Sequence, residues 1–283
     1  MRLDNSRESS NVEDRRGRRM GGRGKIGLGT IVLALVALYF GVDPNIVLQN
    51  ATDTASESPA TSSGAPSAPT AETRFASKIL ADTEDAWDAI FQQKGWGNYQ
   101  QPKLVLFSGA TPTACGTGQS AMGPFYCPGD SKVYLDLNFF QQMAQELDSP
   151  GDFAQAYVIA HEVGHHVQHM LGVTDQVDQL RRRGNAAAAN QLSVKVELQA
   201  DCFAGVWANH SDTQRHTLEE GDIQEALNAA TAIGDDRLQQ KSQGYVVPDS
   251  FTHGSSAQRV RWFTRGFKSG DTAQCDTFGT ASL

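Results

Sequence analysis

The stretch Ala156-Tyr-Val-Ile-Ala-His161-Glu162-Val-Gly-His165-His-Val-Gln-His169 decides how the rest of the chain is read. On a helix, residues four apart share a face one turn apart, so His161 and His165 present two imidazoles in one direction. Imidazoles at that spacing can bind one Zn²⁺, and Glu162 can take a proton from a water in the open coordination position. This is the HExxH pattern, in which spacing encodes a hydrolytic mechanism. The bland alternative is a polar helix face that happens to carry two histidines. Against it, Phe153, Ala156, Tyr157, Val158, Ile159 and Ala160 make the preceding turns apolar nearly all round, the mark of a buried helix. A buried helix rarely carries an ionisable cluster unless its members are paired or hold a metal. One zinc per chain is therefore expected here.

Such a site needs a third protein ligand. The metzincin extension, with a glycine and a third histidine soon after, is not met by His166-Val-Gln-His169-Met-Leu-Gly172. Downstream, Val196-Glu197-Leu-Gln-Ala-Asp201 places two carboxylates four apart in a stretch, 190–210, that reads as a second helix with apolar Leu198, Phe203 and Trp207. An ordinary solvated face is the alternative, disfavoured by those neighbours. The Glu–Asp pair resembles that of the thermolysin-like zincins, the gluzincins. The resemblance implies that Glu197 completes the metal shell and that Asp201 orients a ligand histidine by hydrogen bonding.

The net charge of −8 hides an asymmetry. Residues 1–25 hold eight Lys/Arg against four Asp/Glu, leaving sixteen against twenty-eight for the remainder. So acidic a body disfavours a nucleic-acid partner. Residues 26–42 carry no charge and follow Arg15, Arg16, Arg18, Arg19, Arg23 and Lys25, with no further basic residue until Arg74. This reads as one transmembrane helix, with residues 1–25 as a basic cytoplasmic segment and the rest outside. A cleaved signal peptide fits less well, because its apolar region would be shorter and no A-x-A-like site follows. From 51 to 73 every residue but Asp53, Glu57 and Glu72 is Ala, Ser, Thr, Pro or Gly, so 43–73 is read as a flexible linker and 74–283 as the domain.

Periodicity predicts an amphipathic helix over 75–91, strands at Leu104–Phe107 and Val133–Leu137, and helices over 139–147, 153–171, 218–233 and 256–268. The fold class is α+β, mostly helical, with a small β-sheet. Four cysteines in an extracytoplasmic domain suggest two disulfides. Three pairings exist; a local Cys115–Cys127 bridge would order the glycine-rich loop between them and leaves Cys202 with Cys275. Cys202 as a zinc ligand is the rival reading, disfavoured because a hydrolytic site keeps its fourth position for water. His166 and His169 point away from the ligand pair and are read as packing or surface residues. His253, in a loop before the last helix, is a candidate donor to a developing oxyanion, with an unremarkable loop histidine as the alternative. Asp235 and Asp236 are read as a helix end.

The whole chain resembles the bacterial family called putative neutral zinc metallopeptidases. The resemblance rests on Arg7-Glu8-Ser-Ser-Asn-Val-Glu-Asp-Arg-Arg16, Tyr39-Phe-Gly-Val-Asp43, the Cys115 to Cys127 loop with Ala-Met-Gly-Pro-Phe-Tyr, and His161-Glu-Val-Gly-His-His166. Glu197-Leu-Gln-Ala-Asp-Cys202 and His253-Gly-Ser-Ser-Ala-Gln-Arg259 complete it. It implies zinc at His161, His165 and Glu197, with Glu162 as the catalytic carboxylate. By analogy with zincin-like metalloprotease domains, the Val133–Leu137 strand and the Cys115–Cys127 loop would wall the cleft. The expected protein is a single-pass peptidase of the bacterial inner membrane, its N-terminus cytoplasmic and its catalytic domain periplasmic, acting on a peptide or protein. The competing reading is a non-hydrolytic envelope binding protein with a structural zinc, against which Glu162 speaks, since a structural site needs no base.

Overall fold

Thr70 starts the first long helix of the domain. Its side chain accepts the Thr73 N–H, and the helix α1 (Ala71–Lys94) runs until Gly95 takes the left-handed conformation at φ 67°. A computed structural model describes residues 1–4, 6–17, 69–280 and 283. The expected span at 26–42 and nearly all of the 43–73 linker lie outside the described residues. Among the described residues no helix is long and apolar enough to cross a membrane.

The strands are β1 (Val12–Asp14), β2 (Lys103–Phe107), β3 (Ala110–Thr113), β4 (Gly116–Gln119), β5 (Phe125–Cys127) and β6 (Lys132–Asp136). β3 and β4 form a separate hairpin, and the other four make a sheet in the order β1-β2-β6-β5. β1, β2 and β6 run parallel, and only the edge strand β5 is antiparallel to its neighbour. After the sheet come α2 (Asn138–Glu146), α3 (Asp152–Met170), α4 (Val173–Arg181), α5 (Ala186–Arg215), α6 (Asp222–Ala232), α7 (Asp235–Gln243) and α8 (Ser256–Ser269). Ser255 and Gln258 form a capping box at the start of α8.

The sequence separates residues 1–25 from a domain starting at 74, and the structure differs. Met1–Arg16 belong to the same folded unit as Pro66–Leu283. β1 adds to the open side of β2 with Val12 opposite Leu104 and Asp14 opposite Leu106. Hydrophobic alternation could not reveal this strand, because Val12-Glu13-Asp14 is short and charged. Its acids are neutralised instead, Glu13 by Arg15 and Lys132 and Asp14 by Arg16. A second difference concerns the cleft. β6 lies between β2 and β5, with Val133, Tyr134 and Leu135 buried, so the expected cleft strand is interior and β5 takes its place at the edge.

The core joins α1, α3, α5 and α8 through large rings. Phe153 stacks on Trp207 with centroids 5.9 Å apart, and Trp87 meets the edge of Phe203 at 5.4 Å. Glycines set the helix separations. A Cβ on Gly205 of α5 would lie 2.1 Å from the Phe263 carbonyl oxygen, and one on Gly266 of α8 would lie 2.0 Å from that of Cys202. On α3, Gly164 faces Ala200 of α5, where a Cβ would meet the Ala200 oxygen at 3.0 Å. The disulfides Cys115–Cys127 and Cys202–Cys275 both form, matching the favoured pairing.

Candidate metal centre

The close approach of α3 and α5 at Gly164 brings the two sequence motifs together. His161 and His165 stand one turn apart on α3, ring centroids 4.7 Å apart and nearly perpendicular. From α5, Glu197 reaches between them: Oε2 lies 3.1 Å from His161 Nε2, and Oε1 lies 3.5 Å from His165 Nε2. One donor atom from each residue lies within 4.8 Å of the others. Tetrahedral zinc with bonds of about 2.0–2.1 Å separates its ligand atoms by about 3.3 Å, close to both spacings.

The outer ring nitrogens test whether these imidazoles fit a metal. His161 Nδ1 lies 2.9 Å from Asp201 Oδ1, and His165 Nδ1 lies 2.9 Å from Gln168 Oε1. Both of these partners are acceptors, and Asp201 lies nearer His161 Nδ1 than the Arg259 guanidinium at 3.4 Å, so each Nδ1 carries the proton and each Nε2 lone pair faces inward. Two neutral imidazoles and a carboxylate, all aimed at one point, form a donor set that fits zinc. Without a metal the same acids favour protons. Burial depresses the His161 pKa, but Asp201 and Glu197 outweigh burial and raise it to about 10. His165 shifts upward in the same way, burial opposing and Glu197 prevailing. Burial resists the ionisation of Glu197, yet His165 and His161 hold its pKa well below the ordinary range. Metal loading must therefore displace protons.

Behind the ligands lies a buried ionic network. Arg259 of α8 donates through Nε to Asp201 Oδ2 and through Nη2 to Asp201 Oδ1, each at 2.9 Å. Tyr157 donates its hydroxyl to Asp201 Oδ1 at 2.5 Å, and Arg259 also reaches the tyrosine oxygen at 3.2 Å. Burial opposes the Asp201 charge, but Arg259 and then His161 bring its pKa down to about 2. On the other ligand, Gln168 donates to the Val196 carbonyl at 2.7 Å and to Gln199 Oε1 at 3.1 Å, and Gln199 donates to the Cys275 carbonyl at 3.0 Å.

Glu162 sits next to the ligand pair on the wall of a cleft of about 590 Å³. Its carboxylate makes no hydrogen bond among the described residues, so it remains available to a reactant. Phe125 and Tyr126 of β5, Phe139 of α2 and Leu238 of α7 also line this cleft. His253 lines it too, about half exposed, with Nδ1 3.2 Å from Asp235 Oδ1. The hydrogen bond to Asp235 raises the His253 pKa against burial.

The structure thus brings together His161, Glu162, His165, Glu197 and Asp201, with His253 on the rim. His166 is buried in packing, its ring between Tyr99 and Tyr126 and its Nε2 2.5 Å from the Gln100 carbonyl. Asp235 is the first residue of α7, and its Oδ2 accepts the N–H groups of Thr252, His253 and Gly254. That loop-holding role went unread in the sequence, as did the parts played by Tyr157, Gln168 and Arg259. For Tyr157 a signal existed: it precedes His161 by one turn, on the same helix face.

Comparison with known proteins gives one family. The sequence profile described as putative neutral zinc metallopeptidase matches residues 1–278. The uncharacterized protein YpfJ of Escherichia coli (strain K12) is 56% identical over 289 residues, covering 99% of each chain. The uncharacterized proteins Rv2575 of Mycobacterium tuberculosis and Mb2605 of Mycobacterium bovis are each 44% identical over 220 residues, 74% of this chain and 73% of their own. No solved structure matches the chain.

Proposed function

Because the chain belongs to the putative neutral zinc metallopeptidase family, we propose that it hydrolyses peptide bonds at the cleft beside His161, His165 and Glu197. The observation that carries this reading is Glu162: a carboxylate with no hydrogen bond among the described residues, next to three converged metal donors and lining the cleft. His161, His165 and Glu197 would hold the zinc, which when bound would supply Lewis acidity towards water and a carbonyl oxygen. Glu162 takes the proton of the attacking water and delivers it to the leaving amine. Asp201 keeps the His161 proton on Nδ1, and Gln168 does the same for His165. His253, biased towards its charged form by Asp235, donates to the carbonyl oxygen as that oxygen gains charge.

The substrate is an extended peptide or protein segment laid along the outer edge of β5, which no further strand pairs among the described residues and whose Phe125 and Tyr126 line the cleft. An antiparallel edge strand beside the metal helix also supports a zincin-like reading of the domain. The two disulfides support an oxidising, extracytoplasmic setting, and the uncharged stretch 26–42 supports attachment to the bacterial cell membrane.

The test uses the full chain, assayed for bound zinc and for hydrolysis of a casein-derived peptide pool, beside Glu162→Gln. Zinc retained at one per chain with hydrolysis lost only in the variant is the expected result. Zinc at one per chain with no hydrolysis by the parent protein would replace this reading with a structural metal in a binding protein.

A further inference from the structure

Glu84 lies in the middle of α1, 1% exposed, and its charge is met entirely from the N-terminal segment. Ser9 Oγ donates to Oε1 at 2.6 Å, Asn11 Nδ2 to Oε1 at 2.7 Å and Arg7 Nη2 to Oε2 at 2.8 Å. These are its hydrogen-bond partners among the described residues. A buried carboxylate stripped of all three would be left unpaired, which folded proteins avoid. Backbone contacts tie the same segment down on both sides. Ser9 exchanges bonds with Ser77, its N–H to the Ser77 carbonyl at 3.2 Å and the Ser77 hydroxyl to its own carbonyl at 3.1 Å. The Leu104 N–H donates to the Asn11 carbonyl at 2.9 Å, and the Arg15 N–H to that of Leu106 at 2.7 Å.

The segment also backs the cleft. The Arg15 guanidinium lies 5.8 Å from the ring centroid of Tyr134, and Tyr134 stacks on Phe125 at 5.0 Å, the ring that lines the cleft from β5. Without β1, the buried apolar strand β2 would become an open sheet edge. Residues 6–16 are thus built into the domain that holds the metal donors, with satisfied charges on both partners.

A strand cannot hydrogen-bond across a bilayer. We infer that residues 6–16 and the metal-centre domain occupy one and the same side of the cell membrane. The single crossing that the basic cluster and the uncharged stretch suggest when read alone would instead put them on opposite sides. Separating them would forfeit a sheet pairing and the three bonds to a buried carboxylate. The inference stands whether or not the protein hydrolyses peptides.

The test is made on the full chain in cells. Single cysteines replace exposed residues whose side chains make no hydrogen bond or ion pair among the described residues: Glu8→Cys and, as a second position, Ser10→Cys in the N-terminal segment, with Glu220→Cys in the domain. The four native cysteines are consumed in disulfides and stay silent. A membrane-impermeant maleimide is added to intact spheroplasts and, separately, after lysis. Expected is the same pattern at all three positions. Labelling of Glu220→Cys in intact spheroplasts while both N-terminal cysteines react only after lysis, or the reverse, would overturn the inference.

Discussion

Arg259 and Asp201 face each other through two hydrogen bonds of 2.9 Å, with the arginine 2% exposed and the aspartate fully buried. The guanidinium lets a full carboxylate charge stand directly behind His161. Arg259→Ala strands that charge, and removing one partner of a buried pair typically costs about 3–5 kcal/mol. Denaturant unfolding of the full chain should show a loss of that order. Zinc competition titration should show weaker binding by about 10–100-fold, the usual penalty for disturbing a ligand's hydrogen-bond partner.

The two sides of the ligand set should respond in graded fashion. Glu197→Ala removes a donor and abolishes stoichiometric zinc. Gln168→Ala leaves all three donors but frees His165 Nδ1, which Gln168 holds at 2.9 Å, so affinity falls by about 10–100-fold without loss of stoichiometry. Metal analysis after dialysis against a graded chelator series separates the two outcomes.

The spacing of Glu197 and Asp201 made them visible before any coordinates, because four residues on a helix fix a common face whatever the tertiary context. Arg259 had no such local signature. Its role depends on α8 crossing α5 at Gly205 and Gly266, a contact between positions far apart in sequence. The main helices were legible for the same reason as the HExxH pair: each buries a periodic apolar stripe. α4 and α7, polar and nine residues long, offered no stripe to read. β1 misled for a different reason. The charges of this N-terminal segment resembled a solvated, membrane-flanking run, whereas Glu13 meets Lys132 and Arg7 meets Glu84, both in the domain.

The helix crossing should tolerate no added methyl. In Gly205→Ala the new Cβ would lie 2.1 Å from a backbone oxygen of α8, which cannot swing aside as a side chain would. Overpacking of this kind costs about 1–3 kcal/mol. Gly164→Ala meets Ala200 at a milder 3.0 Å, so its stability loss should be smaller while its zinc affinity suffers, since it lies between the ligand histidines. Thermal unfolding and zinc titration of both variants check the contrast.

Acid should loosen the N-terminal strand. The Arg15 guanidinium, overcoming burial and helped by Lys132, pulls the Glu13 pKa from 4.5 to about 2. A folded-state pKa below the unfolded one means that the stabilisation is complete above pH 4.5 and drains away as pH falls to about 2. Glu13→Gln should lower stability above pH 4.5, where that contribution is complete, and shrink the loss between pH 4.5 and 2, leaving the slope above pH 5 unchanged. Hydrogen exchange of the Arg15 amide, which donates to Leu106, reports the strand directly.

The line of side chains from His165 through Gln168 and Gln199 ends on the Cys275 carbonyl, and Cys275 is held in place by its bond to Cys202. An imidazole that must receive zinc is thus steadied by a cross-link that only an oxidising environment supplies. Newly made chain, still reduced, offers the metal a less settled ligand. The expected order of maturation is that the bridge closes, the glutamines align, and firm zinc retention comes last. A Cys202→Ala, Cys275→Ala double variant should leave His161, His165 and Glu197 present yet release zinc faster to a chelator, and so separate owning the ligands from having a finished site.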